Sequence, residues 1–294
     1  PDGAVNWVFP RGMTVEKLCK IAQTPSAALG SSRRKPTAED CAALIERFKA
    51  HDIGWFFYIG GNDSMDTIAK LSYDEMSSTP FKYDGQMIAD FKDNSKVPQG
   101  KYNLYIFHLK GQHVNPEYRY PTKSFTKFTA DSIHRTEDYI TKEMKEYIAH
   151  YDNATLYNDA VMKSIFDIWR DKNTVVIYLP DHGDEAYDFR DHCGRQGGTR
   201  AEPEYFHCDN DVPFMVWCSD TFIDKHPELV QQMRAAVDRK GISLDVSIML
   251  LRLAGIKTKY YNASRDISSP AYKPKKRIVY DRYDYDEVIN KEKK

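Results

Sequence analysis

Residues 174–185 read Thr174-Val-Val-Ile-Tyr-Leu-Pro180-Asp181-His182-Gly183-Asp184-Glu185. Five of the first six residues are β-branched or aromatic, and the run ends at a proline followed by carboxylates, a histidine and a glycine. This pattern predicts a buried strand that runs into a polar loop, the place where open α/β sheets carry functional residues. Asp181 and His182 are ligand types that Zn²⁺ accepts, and Gly183 lets the backbone turn so that both face one point. Taken alone, the same residues also fit a strand end with solvated charges.

The composition is that of a globular protein with no bias toward a nucleic-acid partner. The 294 residues include 42 Lys and Arg against 43 Asp and Glu, for a net charge of −1, so no nucleic-acid binding is expected. The apolar runs are far shorter than the roughly 18 residues that span a bilayer, and no charged-then-apolar leader opens the sequence. We therefore expect no transmembrane segment and no export signal in this chain.

The cysteines are odd in number and lack CxxC spacing, which argues against a zinc ribbon and a complete disulfide framework. There are five of them. Cys193 and Cys208 flank a loop. They either pair in an oxidising compartment or remain thiols.

The first 72 residues predict amphipathic helices at 14–22 and 37–50 and a hydrophobic strand at 53–59. The strand runs into Gly60-Gly61 before a helix, an arrangement that exposes backbone N–H groups to a phosphate. Residues 23–33 (Gln-Thr-Pro-Ser-Ala-Ala-Leu-Gly-Ser-Ser-Arg) and 56–72 resemble the pyrophosphate-dependent phosphofructokinases. The resemblance implies a Rossmann-like fragment that binds pyrophosphate and Mg²⁺ through Gly60, Gly61, Asn62, Asp63 and Ser64, with Arg33 as a phosphate contact. The family's catalytic Thr-x-Asp-x-Asp has no counterpart after Ser72, so we expect no kinase site.

From Tyr73 onward the chain alternates predicted strands and helices. A helix opens at Tyr83, residues 103–109 form a β-type run that ends near two histidines, and residues 134–169 predict a long helix before the strand at 174–179. Strand, helix and strand in this order predict a βαβ unit in a mostly parallel sheet flanked by helices.

Several motifs of this second part resemble the phosphoethanolamine transferases that modify lipid A, members of the alkaline phosphatase and sulfatase superfamily. They are His108-Leu-Lys-Gly-Gln-His113, Tyr118-Arg-Tyr-Pro121, Tyr151-Asp-Asn, Tyr157-Asn-Asp159, Asp181-His-Gly183, Tyr187-Asp-Phe-Arg-Asp191 and Val212-Pro-Phe-Met-Val-Trp-Cys-Ser219. The resemblance implies an alkaline phosphatase/sulfatase-like fold in which Asp181 and His182 ligate a catalytic zinc. It further implies that His113 and His192 hold a second zinc or the substrate phosphate, and that His108 and Asp184 lie near the substrate.

The same resemblance implies phospholipid and glycolipid head groups as partners and a periplasmic domain of an inner-membrane protein as the origin. Because the sequence shows no export signal, the cytoplasm is the alternative location. Metal activation of a hydroxyl nucleophile is the chemistry that such a phosphodiester transfer needs.

The family's metal-binding Glu and nucleophilic Thr precede the region that resembles it, and in this chain the phosphofructokinase-like segment stands there. No catalytic nucleophile is therefore identified, and we expect two parts, residues 1–72 and 73–294, with the sulfatase-like sheet lacking its first strand and the transfer activity impaired. The join fits a natural fusion, a rearranged gene or an assembly artefact. The alternative functions are a fragment of a pyrophosphate-dependent phosphofructokinase and a non-catalytic phosphate-binding module.

The missing strand also leads to a prediction about architecture, since an unpaired strand edge is costly. We predict that residues 55–59 pair in the same sheet as residues 174–179. This places residues 60–64 at the sheet edge of Asp181 and His182, where Asp63 or Ser64 substitutes in part for a lost ligand or nucleophile.

Overall fold

The computed structural model describes residues 81–94, 103–195, 203–280 and 282–290. The chain divides into two compact units, one of residues 1–81 with 93–109 and the other of residues 82–92 with 110–294. The predicted helices at 14–22 and 37–50, the strand at 53–59 with its pairing, and the join near residue 72 all lie outside the described residues. In the first unit, residues 103–109 form neither a helix nor a paired strand within the described part of the chain.

The second unit contains most of the elements. The helices are α1 (Asp84–Asn94), α2 (Thr122–Phe125), α3 (Lys142–Trp169), α4 (Pro203–Asn210), α5 (Asp220–Lys225), α6 (Pro227–Arg234), α7 (Val246–Leu253) and α8 (Tyr285–Ile289). The strands are β1 (Val175–Tyr178), β2 (Met215–Cys218), β3 (Ile278–Val279) and β4 (Tyr283–Asp284). Short 3₁₀ helices at Pro116–Tyr118, Ala130–Ser132 and Ser243–Asp245 connect them.

Helix α3, with 28 residues, is the longest described element, and its buried side chains recur at helical spacing from Ile148 to Ile165. The prediction that this helix begins near residue 134 is wrong. It begins at Lys142 because the hydroxyl of Thr141 caps it by accepting from the Met144 amide at 3.3 Å. The segment before the helix makes contacts with a distant loop instead: Arg135 donates to the carbonyl oxygens of Tyr187 and Asp188.

Strands β1 and β2 form an antiparallel pair in which Val175 lies opposite Cys218 and Tyr178 opposite Met215. The buried Ser219 fixes one end of this pair: its hydroxyl donates to the Lys172 carbonyl and accepts from the Thr174 amide at 3.2 Å. The same oxygen caps α5 by accepting from the Phe222 amide. The predicted strand at 174–179 is therefore present, and its predicted parallel neighbours remain a prediction.

The C-terminal segment packs against α4. The buried Phe206 of α4 contacts Tyr285 and Val288 of α8 and meets the Tyr283 ring edge-on, with ring centroids 5.4 Å apart. Next to this cluster, Arg277 forms a 2.8 Å ion pair with Asp286. These contacts hold the C-terminal end of α4, which adjoins the loop after β1. Across the described ranges, no helix has both the length and the apolar character needed to cross a bilayer.

Candidate functional site

The loop that follows β1 presents two metal-ligand side chains. The Asp181 side chain is 78% exposed and that of His182 is 31% exposed. Nδ1 of His182 lies 2.6 Å from the Gly183 carbonyl oxygen, and because a carbonyl only accepts, Nδ1 carries the ring proton. The lone pair of the neutral ring is then on Nε2, which lies 3.9 Å from Oδ1 of Asp181. The two atoms form a donor pair of the kind that zinc binds.

Gly183 fits closely against the end of α4. Its amide donates to the Asp209 carbonyl at 3.0 Å. A Cβ atom at this position would lie 1.9 Å from the Cys208 carbonyl oxygen and 3.0 Å from the carbonyl carbon. Since the obstacle is backbone, only glycine allows the loop to approach α4 this closely.

Asp184 lies where several predicted site residues meet. Burial raises the pKa of its carboxyl; the hydrogen bond from the Glu185 amide and electrostatic interactions with His182 and His113 oppose the rise, and Asp209 adds to it. His113 and His182 are thus close enough to Asp184 to act on its charge, and the roles predicted for the three residues stay predictions. The structure adds the buried Asp209, which sequence reasoning missed because its proximity depends on the packing of α4 against Gly183.

His113 is presented by a tight turn. Its amide donates to the Lys110 carbonyl at 3.1 Å, and Gly111 has a φ of +52°, in the left-handed region that glycine adopts readily. Arg119 donates to the carbonyls of His113 and Val114, which holds the outgoing chain. The His113 side chain itself is exposed and available to a ligand.

Two tyrosines of α3 face the same loop. Burial and the nearby Asp184 carboxylate raise the pKa of Tyr151 to about 12. Burial, then the Cys193 thiol, also raises the pKa of Tyr147. Both phenols therefore stay protonated at neutral pH and offer O–H donors rather than additional negative charge.

A compact loop with its own buried ion pair follows Asp184. Glu185 is almost fully buried and pairs with Arg190 at 2.9 Å, and the Gly194 amide donates to the Glu185 carbonyl. Nε2 of His192 donates to the Gly194 carbonyl at 3.2 Å, so this nitrogen serves the loop in the present structure. A ligand role for His192 stays a prediction.

The predicted site residues are therefore only partly assembled. Among the residues that the structure describes, no group of three His, Cys, Asp or Glu side chains is close enough to hold a metal ion. The Asp181–His182 pair nevertheless suits zinc in its donor types and in its tautomer. His108 is exposed and belongs to the first unit, and its substrate role stays a prediction. Arg33 and residues 60–64 lie outside the described residues.

The thiols of this region are free. Within the described residues, Cys193, Cys208 and Cys218 form no disulfide. Burial, together with the charges of Asp188 and Glu185, raises the pKa of Cys208 to about 12.

Comparison with known proteins identifies the class. The sulfatase family model matches residues 41–256, and the chain therefore belongs to the sulfatase family. It is 31% identical over 211 residues to phosphoethanolamine transferase EptC of Escherichia coli O18:K1:H7, a match that covers 71% of this chain and 35% of the relative. It is 34% identical over 174 residues to the Kdo(2)-lipid A phosphoethanolamine 7''-transferase of Salmonella typhimurium, covering 56% of this chain and 29% of the relative. The chain spans about a third of the length of these relatives.

Solved structures give the same fold. The C-terminal periplasmic domain of EptC from Escherichia coli superposes with a TM-score of 0.59 at 28% identity, covering 72% of this chain and 59% of that domain. A second structure of that domain, in complex with Zn, has a TM-score of 0.60 at 24% identity and covers 83% of this chain and 71% of that one. The alkaline phosphatase/sulfatase-like fold is thereby confirmed.

The second resemblance is confirmed as well. The chain is 52% identical over 59 residues to the pyrophosphate–fructose 6-phosphate 1-phosphotransferase of Rhodospirillum rubrum, over 20% of this chain and 15% of that enzyme.

Proposed function

We propose that the sulfatase-like part of this chain is the catalytic-type domain of a zinc-dependent phosphoethanolamine transferase. The observation that carries the proposal is the Asp181–His182 donor pair, with Nδ1 of His182 committed to the Gly183 carbonyl and Nε2 facing Asp181. The similarity to EptC and to the lipid A transferase supports the substrate class, a phospholipid that carries phosphoethanolamine and a lipid A or related glycolipid acceptor.

The residues of the site have separable roles in this proposal. Asp181 and His182 hold the metal, and His113 with His192 are the further ligands or phosphate contacts that the resemblance implies. Bound zinc would supply positive charge for the non-bridging phosphate oxygens and lower the pKa of a hydroxyl. Asp184 and the protonated Tyr151 lie beside this pair, and the Tyr151 hydroxyl can donate a hydrogen bond to a phosphate oxygen.

We further propose that this chain transfers phosphoethanolamine poorly by itself. The family's nucleophilic Thr and metal-binding Glu have no identified counterpart, because the segment before residue 73 resembles a different enzyme. The likeness to a periplasmic domain of Escherichia coli EptC supports a periplasmic origin for the transferase-like part.

Zinc binding by the purified chain tests the core of the proposal. We expect stoichiometric Zn²⁺ by isothermal titration and by metal analysis, with Asp181→Ala and His182→Ala each lowering the affinity at least about tenfold. His207→Ala is the matched control, because His207 is an exposed histidine of α4 that pairs with Asp211, just after the helix. If Asp181→Ala binds Zn²⁺ with wild-type affinity, the proposed metal site is refuted.

Lipid assays then separate the possible functions. Phosphatidylethanolamine vesicles with lipid A are incubated with the zinc-loaded chain, and mass spectrometry measures phosphoethanolamine added to lipid A. Zinc binding with no transfer identifies the non-catalytic phosphate-binding alternative or the impaired enzyme. The two are distinguished by whether a covalent phosphoethanolamine adduct forms on the chain.

A further inference from the structure

Asp84 is a buried carboxylate outside the predicted set of site residues. It is the first residue of α1 and is only 7% exposed. Its carboxylate oxygens accept from two successive backbone amides about 26 positions away. The Lys110 amide lies 3.0 Å from both oxygens, and the Gly111 amide lies 2.9 Å from Oδ2. Hydrogen bonds to an ionised acceptor are about twice as strong as neutral ones, so this is a firm attachment.

The two amides belong to the turn that presents His113. The Lys110 carbonyl accepts from the His113 amide, and Gly111 takes the left-handed conformation between them. A short turn with a glycine has several accessible conformations when nothing holds it. The Asp84 carboxylate binds the start of this turn from the protein interior and selects one of them.

The side chain of Asn158 lies between this turn and β1. The buried Asn158 of α3 has its Oδ1 atom 4.0 Å from the position of a Cβ on Gly111. Its Nδ2 atom donates to the Tyr178 hydroxyl at 2.9 Å, and Tyr178 is the last residue of β1, just before the Asp181 loop. Asn158 therefore lies between the His113 turn and the end of β1, and its Oδ1 atom accepts no hydrogen bond within the described residues.

We propose that Asp84 is a positioning residue that holds the His113 turn beside the Asp181–His182 loop. It contacts neither metal nor substrate, and it acts through the backbone of Lys110 and Gly111. The role rests on the proposed function to the extent that His113 serves a zinc or phosphate there. The attachment of the turn is a property of the structure that can be tested separately.

Amide hydrogen exchange of the full chain tests the attachment. In Asp84→Asn the carboxamide NH₂ cannot accept, so the Lys110 amide loses one of its two acceptor oxygens, and the negative charge that strengthens both hydrogen bonds is removed. We expect exchange at Lys110 and Gly111 to rise at least about tenfold. Asp245→Asn is the matched control, because Asp245 is also buried and pairs with Arg265. Unchanged exchange in Asp84→Asn, or an equal rise in Asp245→Asn, overturns the proposal.

Titration with Zn²⁺ alone tests the consequence for the site. Asp84→Asn is expected to weaken zinc binding about 10- to 100-fold, as removal of a supporting interaction around a metal site does. In a His113→Ala background the same change should have no further effect, whereas a general loss of stability would weaken binding in both backgrounds. Equal losses in both backgrounds therefore refute the positioning role. If the wild type binds no zinc while exchange still rises in Asp84→Asn, the proposed function fails and the attachment stands.

Discussion

Replacing Gly183 by alanine tests how the candidate site is held in place. The added methyl would lie 1.9 Å from the Cys208 carbonyl oxygen, whereas ordinary contact begins at 3.4 Å. The two segments must therefore separate by about 1.5 Å, and neither is a flexible side chain that can turn aside. The 3.0 Å hydrogen bond from the Gly183 amide to the Asp209 carbonyl is stretched by the same movement.

Overpacking of this kind costs about 1 to 3 kcal/mol. For a chain of this size, each kcal/mol lowers the melting temperature by roughly 2 to 4 °C. The effect on metal binding should be larger, since ligand distances at a metal tolerate only about 0.2 Å of error. We expect zinc affinity to fall at least about tenfold because the substitution moves His182 and Asp181 along with the loop.

The assay combines thermal unfolding by differential scanning calorimetry with zinc titration of the same preparations. Gly241→Ala is the control, since its methyl would meet the flexible end of the Ile267 side chain at 2.4 Å instead of backbone. That variant should lose some stability and keep wild-type zinc affinity. A Gly183→Ala protein with the melting temperature and zinc affinity of the wild type would refute the reasoning.

Three other predictions concern the scaffold. Asn153→Ala should lower the free energy of unfolding by about 2 to 4 kcal/mol, because the buried Asn153 side chain joins four backbone groups of α3 and the segment before it. Urea unfolding measures this loss, with the surface variant Asn290→Ala as control. Equal losses of stability in the two variants would contradict the prediction. Hydrogen bonds from Arg277 and Lys240 lower the pKa of Asp286 to about 2. The contribution of the ionised Asp286 carboxylate to the stability of the fold is therefore complete above about pH 4 and is lost as the pH falls toward 2. Urea unfolding of Asp286→Asn from pH 7 to pH 2 should show a deficit that shrinks on acidification, and a constant deficit would argue against the ion pair. Burial raises the pKa of Cys208 to about 12, so iodoacetamide at pH 8 should alkylate this thiol slowly in the folded chain and rapidly in urea. Peptide mass mapping measures the two alkylation rates, and similar rates in both states would exclude the effect of burial.

The strand and loop at residues 174–185 could be predicted from sequence because their signals are local. A β-branched run, a proline and a glycine each restrict the backbone where they stand, and β1 ends just before Asp181 as predicted. The resemblance to the transferases also led to His113, His182 and Asp184, the first two of which are close enough to the third to act on its charge. These residues stand in short sequence motifs that can be recognised without knowing the fold.

What the sequence could not show depends on contacts between distant segments. The predicted start of α3 is too early because the charged run from residue 134 resembles a helix in sequence. In the structure Thr141 caps the helix and Arg135 binds carbonyls of Tyr187 and Asp188. Asp84 looked like an ordinary acidic residue in the first turn of a helix. Its role became visible only once the Lys110 and Gly111 amides were found against it.

The antiparallel pairing of β1 with β2 also constrains the order in which the chain folds. The paired residues stand about forty positions apart, and the Asp181 loop and α4 both lie inside the segment that the pairing closes. Closing such a loop costs conformational entropy before any contact within it is made. We predict that the Asp181–His182 pair acquires its geometry only after β1, β2 and Ser219 have come together. A metal ion would bind a loop that is already folded, and zinc added during refolding should slow unfolding without accelerating folding.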